Sequence, residues 1–168
     1  MAWTLICGTW KNRDETVLRE VRQTVRDELA AGNSILTGGA LGVDLTAAEE
    51  ALRRFPDGSR LRIMVPAPFR AYCEHYRLLA EEGIISDLQA EELVNVLEAL
   101  RKVAPDNLYE LTYSPIDDAA FLACNTEVVG MADSVIAFSI ANSSGTADML
   151  AKAATRNIPI VKREYAAK

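Results

Sequence analysis

Ser34-Ile35-Leu36-Thr37-Gly38-Gly39-Ala40-Leu41-Gly42-Val43-Asp44 is the stretch that decides the fold. Ser34 to Thr37 is a short, mostly apolar run of strand length. Gly38-Gly39 stops it, and helical spacing begins at about Val43 and continues to Arg54. A strand running through a glycine turn directly into a helix is the unit from which parallel sheets are built.

The same unit recurs on either side. Upstream, Trp3 to Cys7 is an apolar run ending at Gly8, followed by a polar stretch from Lys11 to Glu15. Val17, Val21, Val25 and Leu29 then fall at spacing four on one helix face, and Gly32-Asn33 closes that helix, because both residues tolerate the left-handed cap conformation. Downstream, Pro56-Asp57-Gly58 is a turn, and Leu61 to Val65 is a third strand ended by Pro66 and Pro68.

The middle reads as two helices, Phe69 to Glu82 and Ser86 to Val103, the second opening on a capping box formed by Ser86 and Gln89. Pro105-Asp106-Asn107 breaks it. Leu108 to Tyr113 is a short strand or an extended loop, and Pro115 is read as starting a helix that runs to about Gly130. Asp133 to Phe138 is a strand, Ser144 to Thr155 a helix and Ile158 to Val161 a last strand.

Continuous apolar strands alternating with helices predict an α/β fold, a Rossmann-like three-layer parallel sheet with helices on both faces. No repeat, low-complexity tract or linker divides the chain, so the expectation is one domain over residues 1–168, with a helical insert at about 69–103.

Composition agrees with a folded protein. The chain has 168 residues, 49% of them hydrophobic and 25% charged, ordinary for a globular domain. Its net charge of −6 sets up a field that repels phosphate backbones and anionic membranes, so nucleic acid is not an expected partner. Three widely spaced cysteines, Cys7, Cys73 and Cys124, form no disulfide framework, and the lone His75 has no partner at ligand spacing, so no metal site is expected. Without a long apolar run or a leader pattern, the expected location is the cytoplasm.

In such a sheet, ligands bind beyond the carboxyl ends of the strands. Three turns belong there: Gly8-Thr9-Trp10, Gly38 to Asp44, and Asn142 to Thr146. The glycines of Gly38-Gly39-Ala40-Leu41-Gly42 let main-chain N–H groups face an anion at the following helix N-terminus. The spacing is neither that of the dinucleotide fingerprint nor that of a P-loop. Asp44 either caps the helix or accepts hydrogen bonds from a ribose or base, and local chemistry favours the cap. Ser143, Ser144, Gly145 and Thr146 repeat the arrangement with hydroxyls added, although a plain serine cap would also account for them.

These residues carry a resemblance. Gly38-Gly39-Ala40-x-Gly42-x-Asp44, then Asn125 shortly before Ala132-Asp133-x-x-Ile136-Ala137-Phe138, then Ser144-Gly145-Thr146 before an alanine-rich helix together resemble the SLOG superfamily, specifically its YspA-type members. DNA-processing protein A and the Lonely Guy phosphoribohydrolases are related branches. The resemblance covers about the first 65 residues and the last 50.

It implies a nucleotide or nucleotide-derived ligand, no other cofactor, and a homo-oligomer, a dimer above all. Gly8, Thr9, Gly38, Gly39, Ala40, Gly42, Asp44, Asn125, Ser143, Ser144, Gly145 and Thr146 are the implied ligand-binding residues. Where YspA-type proteins commonly carry arginines, this chain has Thr9 or Trp10, and Cys124. Met149 stands where the phosphoribohydrolases have their glutamate, so that activity is not carried over. The leading expectation is a binding protein. The alternatives are a nucleotide N-glycosidic-bond hydrolase, with Glu127, Asp148 or Asp118 as the candidate catalytic carboxylate, and a single-stranded DNA-binding module.

Overall fold

Apolar residues in the strands alternate between two cores, and this alternation builds the layers. The computed structural model describes residues 2–11 and 13–167. Its strands are β1 (Trp3–Gly8), β2 (Ser34–Gly38), β3 (Leu61–Val65), β4 (Leu108–Glu110), β5 (Ser134–Ile140) and β6 (Ile160–Tyr165), all parallel, in the order β4-β3-β2-β1-β5-β6. The helices are α1 (Glu15–Ala30), α2 (Val43–Arg54), α3 (Phe69–Glu81), α4 (Asp87–Val103), α5 (Asp118–Gly130) and α6 (Ser144–Thr155), and a single 3-10 turn covers Pro105–Asn107.

Ile6, Ile35 and Ile63 point to the face covered by Val21 and Val25 of α1, Ala47 and Ala51 of α2 and Leu97 of α4. Their neighbours Leu5, Leu36 and Met64 point the other way, against Val128 of α5 and Met149 and Ala153 of α6. Successive strand side chains face opposite sides of a sheet, so a central strand with helices on both sides must be apolar throughout. The result is a three-layer Rossmann-like α/β sandwich.

Several expected signals appear as read. Gly32 has φ +89°, Asn33 N–H donates to the Glu28 carbonyl and Gly32 N–H to that of Leu29, a Schellman closure of α1. Ser86 and Gln89 form the reciprocal capping box of α4. Other ends differ. The helix expected from Pro115 begins at Asp118 instead, because the Asp117 carboxylate accepts from Ala120 N–H and sets the N-terminus there. The last strand starts at Ile160 rather than Ile158 and runs on to Tyr165. Pro159 has no N–H to give a ladder, and only its carbonyl takes part, accepting from Val135 N–H.

One close approach ties the sheet to the helix layer. A Cβ on Gly8 would lie 2.3 Å from the Phe138 carbonyl oxygen and 2.7 Å from Val43 Cγ2, so only glycine lets β1, β5 and α2 meet at the carboxyl edge.

Candidate functional site

The strand order reverses between β1 and β5. The chain moves from β1 outward through β2, β3 and β4, then returns to add β5 and β6 on the other side of β1. Loops leaving two such strands diverge and leave a crevice between them. There the structure has a cavity of about 590 Å³, within the usual size of a small-molecule site.

The cavity gathers residues distant in sequence. Gly8 contributes from the end of β1, Gly38, Gly39, Ala40 and Asp44 from the β2–α2 turn, and Asn125 from α5. Ser143, Ser144, Gly145 and Thr146 enter from the start of α6. Both glycine turns therefore face one space.

Thr9 and Gly42 lie outside the lining. The buried Thr9 hydroxyl accepts from Ile140 N–H at 2.9 Å, bracing β1 against β5. Gly42 has φ +73°, and a Cβ on it would meet the Thr9 carbonyl oxygen at 2.6 Å, so its place is in packing the first turn of α2 against the β1 loop. Of the carboxylates, Asp118 lines the cavity from an exposed position and Glu127 is exposed outside it. Asp148 also lies outside the lining, accepting from Lys152 Nζ at 2.8 Å and Asn125 Nδ2 at 3.1 Å. Partial burial works against its charge, but these two donors outweigh it and hold its carboxyl below the ordinary range.

Asp44 differs from the cap that local chemistry favours. Gly42 occupies the N-cap of α2, and Asp44 lies inside the first turn. Its side chain folds back toward the preceding loop, where Oδ2 accepts from Ala40 N–H at a long 3.4 Å. Oδ1 has no hydrogen-bond partner among the described residues. Asp44 is 8% exposed, and burial pushes its carboxyl up to about 7, which the Ala40 N–H and the Thr37 hydroxyl only partly oppose. Gly39 is held beside it: Tyr72 donates its phenol O–H to the Gly39 carbonyl at 2.6 Å.

The other turn is shaped differently. Ala141 and Asn142 both adopt positive φ, +53° and +56°, a conformation that costs free energy in non-glycine residues and concentrates at functional sites. Ser143 occupies the N-cap of α6 without a side-chain cap bond, so the plain serine cap is not formed. The first turn of a helix leaves its N–H groups without intrahelical carbonyls, and at α6 these are the amides of Ser144, Gly145 and Thr146. The Thr146 hydroxyl beside them is buried and has no partner among the described residues.

One wall escaped the sequence reading. Tyr72, His75, Tyr76 and Leu79 of α3 and Phe121 of α5 line the cavity, with the Tyr72 and Tyr76 rings 5.0 Å apart, edge to face, and Phe121 6.4 Å from both Tyr72 and His75. Tyr72 and Tyr76, which share one face of α3, are buried and also form the cavity wall. Helical spacing right after the carboxyl end of β3 was the signal available. Burial lowers the pKa of His75. Among the described residues no lysine or arginine lines the cavity, no group of His, Cys, Asp and Glu is arranged to hold a metal, and no helix is long and apolar enough to cross a membrane.

No protein-family model matches the chain, and no curated protein matches it. Solved structures do. The DNA processing protein A of Helicobacter pylori, known for a single-stranded DNA binding mode, is 22% identical with a TM-score of 0.65, over 96% of this chain and 64% of that one. This chain thus spans less than two thirds of that protein. The molybdenum cofactor binding protein of Rippkaea orientalis is 17% identical with a TM-score of 0.59, over 98% and 77% of the two chains. The molybdenum cofactor carrier protein of Chlamydomonas reinhardtii is 16% identical with a TM-score of 0.52, over 100% and 91%. At such identities the likeness is one of fold, a Rossmann-like parallel α/β sheet.

Proposed function

We propose that this chain binds a nucleotide-like small molecule in the crevice between the β2–α2 turn and the start of α6, as a sensor or carrier. The observation that carries the reading is the convergence of both turns on one cavity of about 590 Å³. Free amides at the α6 N-terminus, with the partial positive charge of the helix end behind them, suit one anionic group. The aromatic wall of Tyr72, Tyr76 and Phe121 suits a flat ring. Without a cationic side chain in the lining among the described residues, a monophosphate fits better than a di- or triphosphate, whose added charge has no counterpart there. Ligand binding is also the described property of the DNA processing protein and the molybdenum cofactor proteins, which supports a binding role without naming the ligand.

A thermal-shift panel tests the reading. Nucleoside 5′-monophosphates are expected to raise the melting temperature, since a ligand at a hundred times its Kd adds about 2.7 kcal/mol of stability. The parent nucleosides, lacking the anion, are expected to shift it less. Equal shifts from nucleoside and nucleotide remove the anion from the proposal, and no shift from any of them removes the proposal.

A further inference from the structure

We propose that Asp44 is the specificity-determining residue of this cavity, accepting hydrogen bonds from ribose hydroxyls and so selecting ribonucleotides over deoxyribonucleotides. The inference rests on the nucleotide reading above and adds to it the sugar and the residue that reads it.

The first argument is the order of groups along the sheet edge. Tyr72 and Tyr76 of the aromatic wall follow β3, Asp44 follows β2, and the amides of α6 follow β5, in a sheet whose order runs β3-β2-β1-β5. The ring wall reaches from α3 to the β2–α2 turn, where Tyr72 donates its phenol O–H to the Gly39 carbonyl, and the α6 amides lie beyond β1 on the other side of that turn. Asp44 falls between them. A ligand carrying ring, sugar and phosphate in series places its sugar over the middle.

The second argument is the state of the carboxyl. Asp44 is more than nine-tenths buried, its Oδ1 has no hydrogen-bond partner among the described residues, its Oδ2 has one long bond from Ala40 N–H, and the nearby Thr37 hydroxyl donates at 2.8 Å to the Ile6 carbonyl. The groups that share its electrostatic environment, Cys7, Tyr72, Tyr76 and Cys124, all line the cavity. Asp44 itself lines the same cavity, and no described cation pairs with it. A buried acceptor of this kind is costly until donors arrive. Paired hydroxyls supply two donors without adding charge, and a hydroxyl hydrogen bond can approach from the cavity side alone.

A site built to satisfy a polar group rejects the analogue lacking it, because its own buried group is left unpaired. The 2′-deoxy compounds are therefore expected to bind at least about tenfold more weakly.

The test is titration calorimetry of the full chain with the four ribonucleoside 5′-monophosphates, their 2′-deoxy counterparts, and both sets against Asp44→Asn. A ribose preference that collapses in Asp44→Asn supports the proposal. Equal affinity of the two sets for the unaltered chain overturns it and leaves nucleotide binding standing. A preference that survives in Asp44→Asn overturns the role of Asp44, and no binding of any mononucleotide overturns this inference together with the reading beneath it.

Where Asp44→Asn does not fold, the ratio of ribo to deoxy affinity of the unaltered chain at pH 6 and pH 8 decides. The charge on the phosphate is common to both ligands and cancels in the ratio. Burial raises Cys7, Tyr72, Tyr76 and Cys124 out of that range and lowers His75, while Asp117 and Asp118 lie at the cavity rim, exposed. A ratio that grows with pH supports an ionised Asp44 as acceptor, and a flat ratio overturns it.

Discussion

Asp44 carries a proton where an ordinary aspartate would not, and this has a consequence for stability apart from any ligand. Its folded pKa is about 7 against a reference of 3.8, with burial as the main cause. Between those values the folded chain binds a proton that the unfolded chain has released, so stability falls as pH rises through the window and is flat above it. At roughly 1.4 kcal/mol per unit, the full effect is on the order of 4 kcal/mol. Asp44→Asn, of the same shape but unable to ionise, is expected to be more stable than the unaltered chain by about 2 to 4 kcal/mol at pH 8, an advantage that shrinks toward pH 4. Urea melts of both proteins at the two pH values check it, and an advantage that grows toward acid contradicts it. None of this was legible locally. The glycines of the Gly38 to Gly42 turn announce themselves because their conformational needs are intrinsic. The state of Asp44 is set by burial, at a cavity whose other walls, Cys7, Tyr72, Tyr76 and Cys124, arrive from three other elements.

At the scale of elements, the α6 N-terminus separates folding from binding. A Cβ on Gly145 would meet no atom within 4 Å, and the position lies in the first turn, where a carboxylate interacts favourably with the helix dipole by about 0.3–1 kcal/mol. Gly145→Asp is therefore expected to leave the melting temperature unchanged or slightly raised, while placing negative charge where the ligand's anion is proposed to sit and abolishing the shift caused by mononucleotides. A variant that still responds to nucleotide rules out α6 as the anion site. The elements themselves were readable wherever a local device ends them, as Gly32-Asn33 does for α1 and Ser86 with Gln89 does for α4. They were misread where two devices compete. Pro115 suits the first position of a helix, but Asp117 two residues later holds the actual cap.

At the scale of the molecule, apolar strands and intervening helices announced the parallel sheet, and right-handed crossovers restrict how such strands are ordered. The return of the chain across the sheet between β4 and β5 is carried by no single residue. It follows from which faces bury together: Val128 and Val129 of α5 pack with Leu5 and Leu36, on the side opposite Ile6 and Ile35. That return creates the crevice, so the position of this cavity is foreseeable only from turns that the sheet brings to one edge. Charge is likewise a property of the whole. The chain carries −6, no described lysine or arginine lines the cavity, and the lining includes Asp44, Asp117 and Asp118. A single strand of DNA laid across this edge would meet no described lysine or arginine to neutralise its phosphates and displace their counterions. Oligonucleotides are therefore expected to show no retention in filter binding even at about 50 mM salt. Retention at that concentration, lost steeply toward about 200 mM, would reveal several phosphate contacts and place the binding surface on a basic face away from this crevice.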